Sequence, residues 1–391
     1  MPARGSWRNE MWRQPVSGCV LLAVLLAGCT LPSREALLVL EDLAAGDAPS
    51  RLKKQTAPPA RKTLAFHIEN REYVADLYTP TDAEPAIAIL LVPGVAEAGK
   101  DDPRLVAFAE TFARVRFRVL VPDLPSLRTL QVSPANIGEI ADAFLFLVSG
   151  RAFPAPATAG IGAFSYAVGP AILAADRPEL RNAVDFVLGV GGYHDLKHVI
   201  TFFTTGYFRV NDRWRYREPN RYGKWLFVLS NAGRLPHPND RRLLRRMAER
   251  RIADPHAPIA DLAASLHPEG RSVYELLINE DPKRAPQLIA RLPSPLRAVV
   301  NELDLANKDL GRIRARLILV HGSGDDIIPY TESMALAAAF PPDQVDLYVV
   351  GGLGHVDLEP PGLYDRWRLW QAADAVLAIR DQTAGAERLP P

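Results

Sequence analysis

Strand-like apolar runs alternate with helical patterns along most of the chain, and no other feature of the sequence restricts its fold as strongly. Strands separated by helices form parallel pairs joined by crossover connections. The pattern therefore predicts an α/β fold with a mostly parallel, eight-stranded sheet flanked by helices. The strand-like runs are Thr63 to Ile68, Tyr73 to Tyr78, Ala86 to Val92, Phe117 to Val121, Ala159 to Phe164, Ala183 to Val190, Arg316 to His321 and Gln344 to Val350.

The alternation stops once, between Tyr193 and Leu310, where helical patterns dominate and no comparable strand is expected. We predict a mainly helical cap, residues 193–310, inserted after the sixth strand, with core parts at 63–192 and 311–381 and a flexible tail at 382–391. The cap holds 20 Lys and Arg against 14 Asp and Glu, with arginines interleaved among aromatic residues. That composition fits a helical cap with its own core, or an amphipathic lid over an apolar or anionic substrate.

The first thirty residues carry the pattern of an export signal. Three arginines precede an apolar run from Val16 to Ala27, which is shorter than the ~20 residues needed to span a bilayer. The run ends in Leu26-Ala27-Gly28-Cys29, which resembles the lipobox of bacterial lipoproteins. The resemblance implies removal of residues 1–28 and lipidation of Cys29, which would anchor the protein to a membrane of the bacterial cell envelope.

The residues around this cysteine define how the mature chain would begin. Thr30 follows it instead of Asp, and in Gram-negative lipoproteins this implies the outer membrane, facing the periplasm. Cys19 lies in the segment to be removed, so the mature chain could form no disulfide. Residues 29–62 are expected to form a short helix and a tether, with the folded domain starting near Thr63. The alternatives are an uncleaved apolar anchor and an ordinary signal peptide with a chance cysteine.

Composition indicates an ordinary globular protein, with 48% hydrophobic and 23% charged residues. The 46 basic and 45 acidic residues nearly cancel, so the chain has no overall field that would attract nucleic acid. We therefore expect no nucleic acid partner.

A serine stands at the junction of the fifth strand-like run and a helical pattern. Ser165 has alanines at 163 and 167, two positions before and two after it. A nucleophile held on a tight turn between a strand and a helix needs small residues at those two positions, which are usually glycine. The segment predicts either a nucleophile elbow or an ordinary turn from strand to helix.

An aspartate and a histidine follow two later strand-like runs. Asp325 lies in the segment His321-Gly322-Ser323-Gly324-Asp325-Asp326-Ile327-Ile328-Pro329, and His355 ends the glycine-rich segment Gly351-Gly352-Leu353-Gly354-His355. The order Ser, Asp, His, with each residue after a strand, is the order found in α/β-hydrolases. Residues 63–195 and 311–380 together resemble this superfamily, in particular its serine esterases and lipases.

The resemblance implies a catalytic triad of Ser165, Asp325 and His355 that cleaves a small-molecule carboxylic ester, or a thioester or amide, through an acyl-enzyme. It implies that the backbone N–H groups of Tyr166 and Val95 bind the oxyanion. Ala96 competes with Val95, because Pro93 stands where many relatives have histidine. No cofactor or metal is required. Whether the protein binds a protein partner is left open by the sequence.

Several alternatives remain open from the sequence. Asp195 follows the sixth strand-like run, where some α/β-hydrolases place the catalytic acid. His194 and His198 share a helical face and could bind a metal, although no His-Glu-x-x-His arrangement surrounds them. The fold also occurs in non-catalytic binding proteins, and the same triad serves acyl transfer and carbon–carbon bond hydrolysis.

Overall fold

The computed structural model describes residues 33–68, 70–355 and 362–386 of the 391-residue chain. The predicted signal segment and its cysteine, Cys29, lie outside these residues. Across the part of the chain that is described, no helix is both long and apolar enough to cross a membrane.

The described residues contain ten strands, which form two sheets. The strands are β1 (Ala60–Ile68), β2 (Arg71–Thr79), β3 (Ile87–Val92), β4 (Phe117–Asp123), β5 (Ala159–Phe164), β6 (Phe186–Val190), β7 (Tyr207–Val210), β8 (Arg213–Tyr216), β9 (Arg316–Gly322) and β10 (Val345–Val350). The large sheet has the order β1-β2-β4-β3-β5-β6-β9-β10. Of the eight strands described in this sheet, β2 alone runs opposite to the others, so the prediction of a mostly parallel, eight-stranded sheet is confirmed.

The helices cover both faces of this sheet. They are α1 (Arg34–Ala45), α2 (Arg51–Gln55), α3 (Pro103–Arg114), α4 (Pro125–Arg128), α5 (Ala135–Val148), α6 (Val168–Ala175), α7 (Leu196–Thr205), α8 (Arg221–Asn231), α9 (Pro238–Ala253), α10 (Ala260–Ala263), α11 (Pro268–Leu277), α12 (Ala285–Ala290), α13 (Ser294–Leu303), α14 (Thr331–Ala338) and α15 (Leu363–Ala386). Buried residues of α1, α3 and α15 pack on one face, and those of α5, α6, α14 and the cap pack on the other. With both faces covered, central strands are apolar throughout, and every residue of β3 is buried.

The predicted cap interval contains α7 to α13 and, in addition, the hairpin of β7 and β8. We expected no strand comparable to those of the sheet there, and the hairpin was missed because each of its strands has only four residues. Asn211 and Asp212 connect the two strands with φ angles of 48° and 62°. Two successive positive φ angles match the twist of a tight hairpin turn, and Asn and Asp tolerate them better than most residues.

The N-terminal part differs from the predicted tether. Helix α1 packs against α15, where Arg380 donates two hydrogen bonds of 2.7 Å to Glu35. Helix α2 then interrupts the predicted tether, and β1 begins before Thr63. The C-terminal tail also differs, because α15 continues to Ala386 and makes residues 382–386 helical, while residues 387–391 lie outside the described part.

Candidate active site

The turn between β5 and α6 holds Ser165 in an uncommon backbone conformation. Its backbone φ angle is +56°, in a region that residues other than glycine rarely adopt. A short 3-10 helix of residues 165–167 leads from this turn into α6. Ala163 and Ala167 are both fully buried, which leaves no room for larger side chains on either side of the turn. The conformation is that of a nucleophile elbow, which holds a serine clear of its own strand and helix.

The structure brings the three predicted side chains together although they are far apart in sequence. His355 Nε2 lies 2.5 Å from Ser165 Oγ, and His355 Nδ1 lies 2.7 Å from Asp325 Oδ2. Because the carboxylate only accepts, Nδ1–H donates to Asp325, and Nε2 then accepts the serine hydroxyl proton. This tautomer gives His355 the orientation that a general base for Ser165 requires.

Asp325 is fully buried and its carboxylate has four donors around it. Oδ1 accepts the backbone N–H groups of Ile327 and Ile328 at 2.8 and 2.9 Å. Oδ2 faces His355 and lies 3.2 Å from His321 Nε2. Burial alone would raise the pKa of Asp325, but the hydrogen bonds from His321 and His355 hold that pKa well below its ordinary value. The carboxylate is therefore charged at neutral pH and can stabilise a protonated His355.

His321 supports the acid loop from beneath. Its ring is completely buried, with Nδ1 2.7 Å from Ser333 Oγ and Nε2 2.9 Å from the Ile328 carbonyl oxygen. The carbonyl oxygen fixes Nε2 as the protonated nitrogen, so the Ser333 hydroxyl donates to Nδ1. His321 thus ties both ends of the loop that presents Asp325.

Two residues outside the recognised sequence motifs also position the acid loop and the histidine loop. Arg217, which follows β8 in the cap, donates to the backbone carbonyls of Asp325 and Ser323, both at 2.8 Å. Gly191 follows β6 with φ +66°, and a Cβ there would lie 3.0 Å from the His355 carbonyl oxygen. Glycine at this position provides the left-handed conformation and the close approach of the histidine loop.

The predicted oxyanion donors lie beside the serine. Tyr166 is the second residue of the 3-10 helix, whose first N–H groups have no partner within that helix. Val95 and Ala96 both line the same cavity as Ser165, so the choice between their N–H groups stays open. The Tyr166 side chain points elsewhere, since its hydroxyl donates to Asn136 Oδ1 at 3.0 Å, and burial raises the pKa of this hydroxyl.

Ser165 and His355 open onto a cavity of about 780 Å³. This volume lies within the range of small-molecule sites. One part of the wall comes from the cap and is almost entirely apolar, with Val199, Ile200 and Phe203 of α7 and Val299 and Leu303 of α13. Another part comes from α1, α3 and α15. The cavity can therefore hold an apolar molecule next to Ser165, whose hydroxyl is hydrogen-bonded to His355.

The alternative acid has a different environment. Asp195 caps α7, where its Oδ1 accepts the backbone N–H groups of Lys197 and His198. Glu332 accepts the backbone N–H groups of His194 and Asp195 and lies 3.6 Å from His198 Nδ1. These contacts join the start of the cap to α14. Among the described residues, no group of three or more His, Cys, Asp or Glu side chains could hold a metal ion.

The strand order, the elbow and the positions of the three side chains define the α/β-hydrolase fold, and the chain has that fold. No protein-family model matches the sequence, and no curated protein is similar to it. Solved structures do resemble it. A protein from Legionella pneumophila, designated a hydrolase by inference, has a TM-score of 0.52 at 12% identity, covering 87% of this chain and 95% of that one.

Two further structures show weaker likeness. Dienelactone hydrolase from Anabaena variabilis has a TM-score of 0.43 at 13% identity, covering 83% of this chain and 99% of that one. Est1E from Butyrivibrio proteoclasticus has a TM-score of 0.42 at 12% identity, covering 82% of this chain and 99% of that one. At 12% identity the Legionella structure shows a shared fold alone, so the reaction is argued from the site.

Proposed function

We propose that this protein is a serine hydrolase that cleaves a carboxylic ester through an acyl-enzyme intermediate on Ser165. The observation that carries the proposal is the hydrogen-bonded chain from Ser165 through His355 to the buried Asp325. The strained turn at Ser165 and the cavity in front of it support the same function. Thioesters and amides are further substrates of the same chemistry.

The first half of the reaction follows from the proton donors and acceptors. His355 Nε2 takes the hydroxyl proton as Ser165 Oγ bonds to the carbonyl carbon, and Asp325 stabilises the resulting imidazolium. The carbonyl oxygen becomes an anion that the N–H groups of Tyr166 and of Val95 or Ala96 would bind, each contributing about 3 kcal/mol. The bond from carbon to the alcohol oxygen then breaks, and His355 gives its proton to that oxygen.

The second half regenerates the enzyme. A water molecule gives its proton to His355 Nε2 as its oxygen bonds to the acyl carbon. The bond to Ser165 Oγ breaks, His355 returns the proton to Ser165, and the carboxylic acid leaves. The three side chains therefore end each cycle in their starting protonation states.

Hydrolysis of p-nitrophenyl acetate by purified protein tests the proposal. Ser165→Ala removes the nucleophile, and we expect kcat to fall at least ~1,000-fold. Ser149→Ala is the matched control, because Ser149 is exposed at the end of α5, away from the cavity, and its loss should leave kcat unchanged. Equal hydrolysis by wild type and Ser165→Ala would exclude Ser165 as the nucleophile, and a wild-type rate no higher than that of buffer alone would favour a non-catalytic binding protein.

We further propose that the mature protein is anchored by lipid on Cys29 in the bacterial cell envelope, at the outer membrane if the cell is Gram-negative. The support is the apolar run that ends in Leu26-Ala27-Gly28-Cys29. In cell fractionation, Cys29→Ser should lose membrane attachment or processing, whereas Cys19→Ser should behave as wild type. Unchanged attachment and processing of Cys29→Ser would contradict this assignment.

A further inference from the structure

The cavity in front of Ser165 has a second wall on the side of the sheet opposite the cap. This wall belongs to the first described helix, α1, and to the two helices on which it packs. Phe164, the residue before the nucleophile, lines the cavity and packs with the core on this side, where its ring meets Phe108 of α3 edge to face at 5.1 Å. The residues of this second wall are Val39, Leu40 and Leu43 of α1, Phe112 of α3, and Ala373 and Val376 of α15.

Polar contacts hold α1 in this position. At its start, Glu35 accepts two hydrogen bonds from Arg380, whose side chain is only 6% exposed. Near its end, the buried carboxylate of Asp42 accepts from Thr111 of α3 at 2.7 Å and from Lys53 of α2 at 2.8 Å. With an anchor at each end, α1 is a fixed wall of the cavity.

The apolar lining of this wall determines which kind of ligand can bind against it. Apolar side chains of α1, α3 and α15 line this wall together with Phe164. The charged lining residues are Asp47, Asp102 and Arg104, which lie just after the end of α1 and around the start of α3. A peptide in this space would leave N–H and C=O groups without partners, whereas a hydrocarbon chain needs none. Each methylene transferred from water to such a surface gains ~0.8 kcal/mol.

We propose that this part of the cavity binds a long hydrocarbon chain of the substrate's acyl group, and that α1 sets the chain length accepted. The inference rests on the proposed ester hydrolysis at Ser165 and assigns its substrate class, the esters of long-chain aliphatic acids. The ester carbonyl lies at Ser165, and the chain passes Phe164 and runs along Leu40 and Leu43.

The test compares kcat/KM for p-nitrophenyl acetate and p-nitrophenyl dodecanoate in full-length protein. Wild type should prefer the dodecanoate. In Leu43→Trp the indole fills the part of the cavity that α1 lines. The kcat/KM for the dodecanoate divided by that for the acetate should therefore fall more than about tenfold. Exclusion of each methylene lowers binding about fourfold, which is ~0.8 kcal/mol converted by RT, and the indole displaces at least two. Leu37→Trp, on the 39% exposed side of α1, is the matched control and should keep the wild-type ratio.

A second variant and a folding measurement keep the outcomes distinct. Leu40→Trp narrows the same wall one turn earlier and should lower the ratio in the same direction, with both variants melting cooperatively near the wild-type temperature. An unchanged ratio in both folded variants overturns the inference, as does a wild-type preference for acetate. Wild type that hydrolyses neither ester and resists a short-chain fluorophosphonate would instead show that the proposed ester hydrolysis fails.

Discussion

Ser165, Asp325 and His355 follow strands of the sheet, whereas the cavity in front of them is walled by the cap and by α1. The first region is held by directed hydrogen bonds, with four donors around the Asp325 carboxylate alone. The second region is shaped by apolar side chains such as Phe203 and Leu43.

The two kinds of contact tolerate change differently. A lost hydrogen-bond donor at a buried charge leaves part of that charge unsatisfied, whereas an apolar wall can adjust to a moderate change of volume. We therefore expect substitutions near the triad to change the rate for every ester. Substitutions in the walls should change which ester is preferred, because they alter the space for the acyl group and leave the reacting atoms in place.

The largest loss of kcat should come from substitution of the catalytic acid, and this loss distinguishes the two candidate aspartates. Asp325→Asn replaces one accepting oxygen with an NH2 donor and removes the negative charge, so His355 loses its tautomer and the stabilisation of its protonated form, and we expect kcat to fall at least ~100-fold. Asp195→Asn should lower kcat less than ~10-fold, because asparagine still caps α7. Steady-state hydrolysis of an acetate ester by both folded variants is the measurement. The opposite ranking would move the acid to Asp195.

A smaller effect is expected at Arg217, which belongs to the cap but contacts the acid loop. Arg217→Ala removes the two hydrogen bonds to the carbonyls of Ser323 and Asp325. Loosening the loop should lower kcat about tenfold, or ~1.4 kcal/mol of barrier, with little change in KM. Arg217→Lys should recover part of this loss, since one ammonium cannot reproduce the planar fork.

The exposed Arg215 of the same hairpin provides the control, and Arg215→Ala should keep both kinetic constants. If Arg217→Ala instead raised KM at constant kcat, Arg217 would be a substrate-binding residue of the cap. Arg217 would then belong with the cavity walls and not with the hydrogen-bonded region around Asp325.

The smallest effect on intrinsic reactivity should come from the cap wall. Phe203 lines the cavity, whereas Trp214 of the hairpin does not. The Trp214 ring packs against Arg209, with 4.8 Å between the ring centroid and the guanidinium carbon. Phe203→Ala should shift the preference between acetate and longer acyl esters several-fold, because one methylene in an apolar pocket is worth about 1–3 kcal/mol. Trp214→Ala should leave that preference unchanged. Equal losses on every ester in Phe203→Ala would indicate a folding defect.

The sheet could be predicted from the sequence because its signals are local. Buried parallel strands are continuous apolar runs, and the turn at Ser165 demands small neighbours at fixed positions. The three side chains could be proposed together because each follows such a strand. Their catalytic role stays a prediction until activity is measured.

The parts that were missed depend on contacts between distant residues. Arg217 and Asp325 are separated by 108 positions, and no local pattern connects an arginine after a hairpin with the acid loop. Helix α1 was expected from its apolar spacing, but its place against Arg380, 345 positions later, follows only from tertiary packing. The hairpin of β7 and β8 was missed because its strands are too short to form recognisable runs.

The central claim is that Ser165 is an activated nucleophile, and covalent labelling tests it without a substrate. Full-length protein should react with a short-chain fluorophosphonate, and mass spectrometry of the digested protein should place one adduct on the peptide that contains Ser165. Ser165→Ala should give no adduct, and His355→Ala should label far more slowly, because Nε2 no longer accepts the hydroxyl proton. Full labelling of Ser165→Ala, or an adduct on another serine of the wild-type protein, would contradict the account.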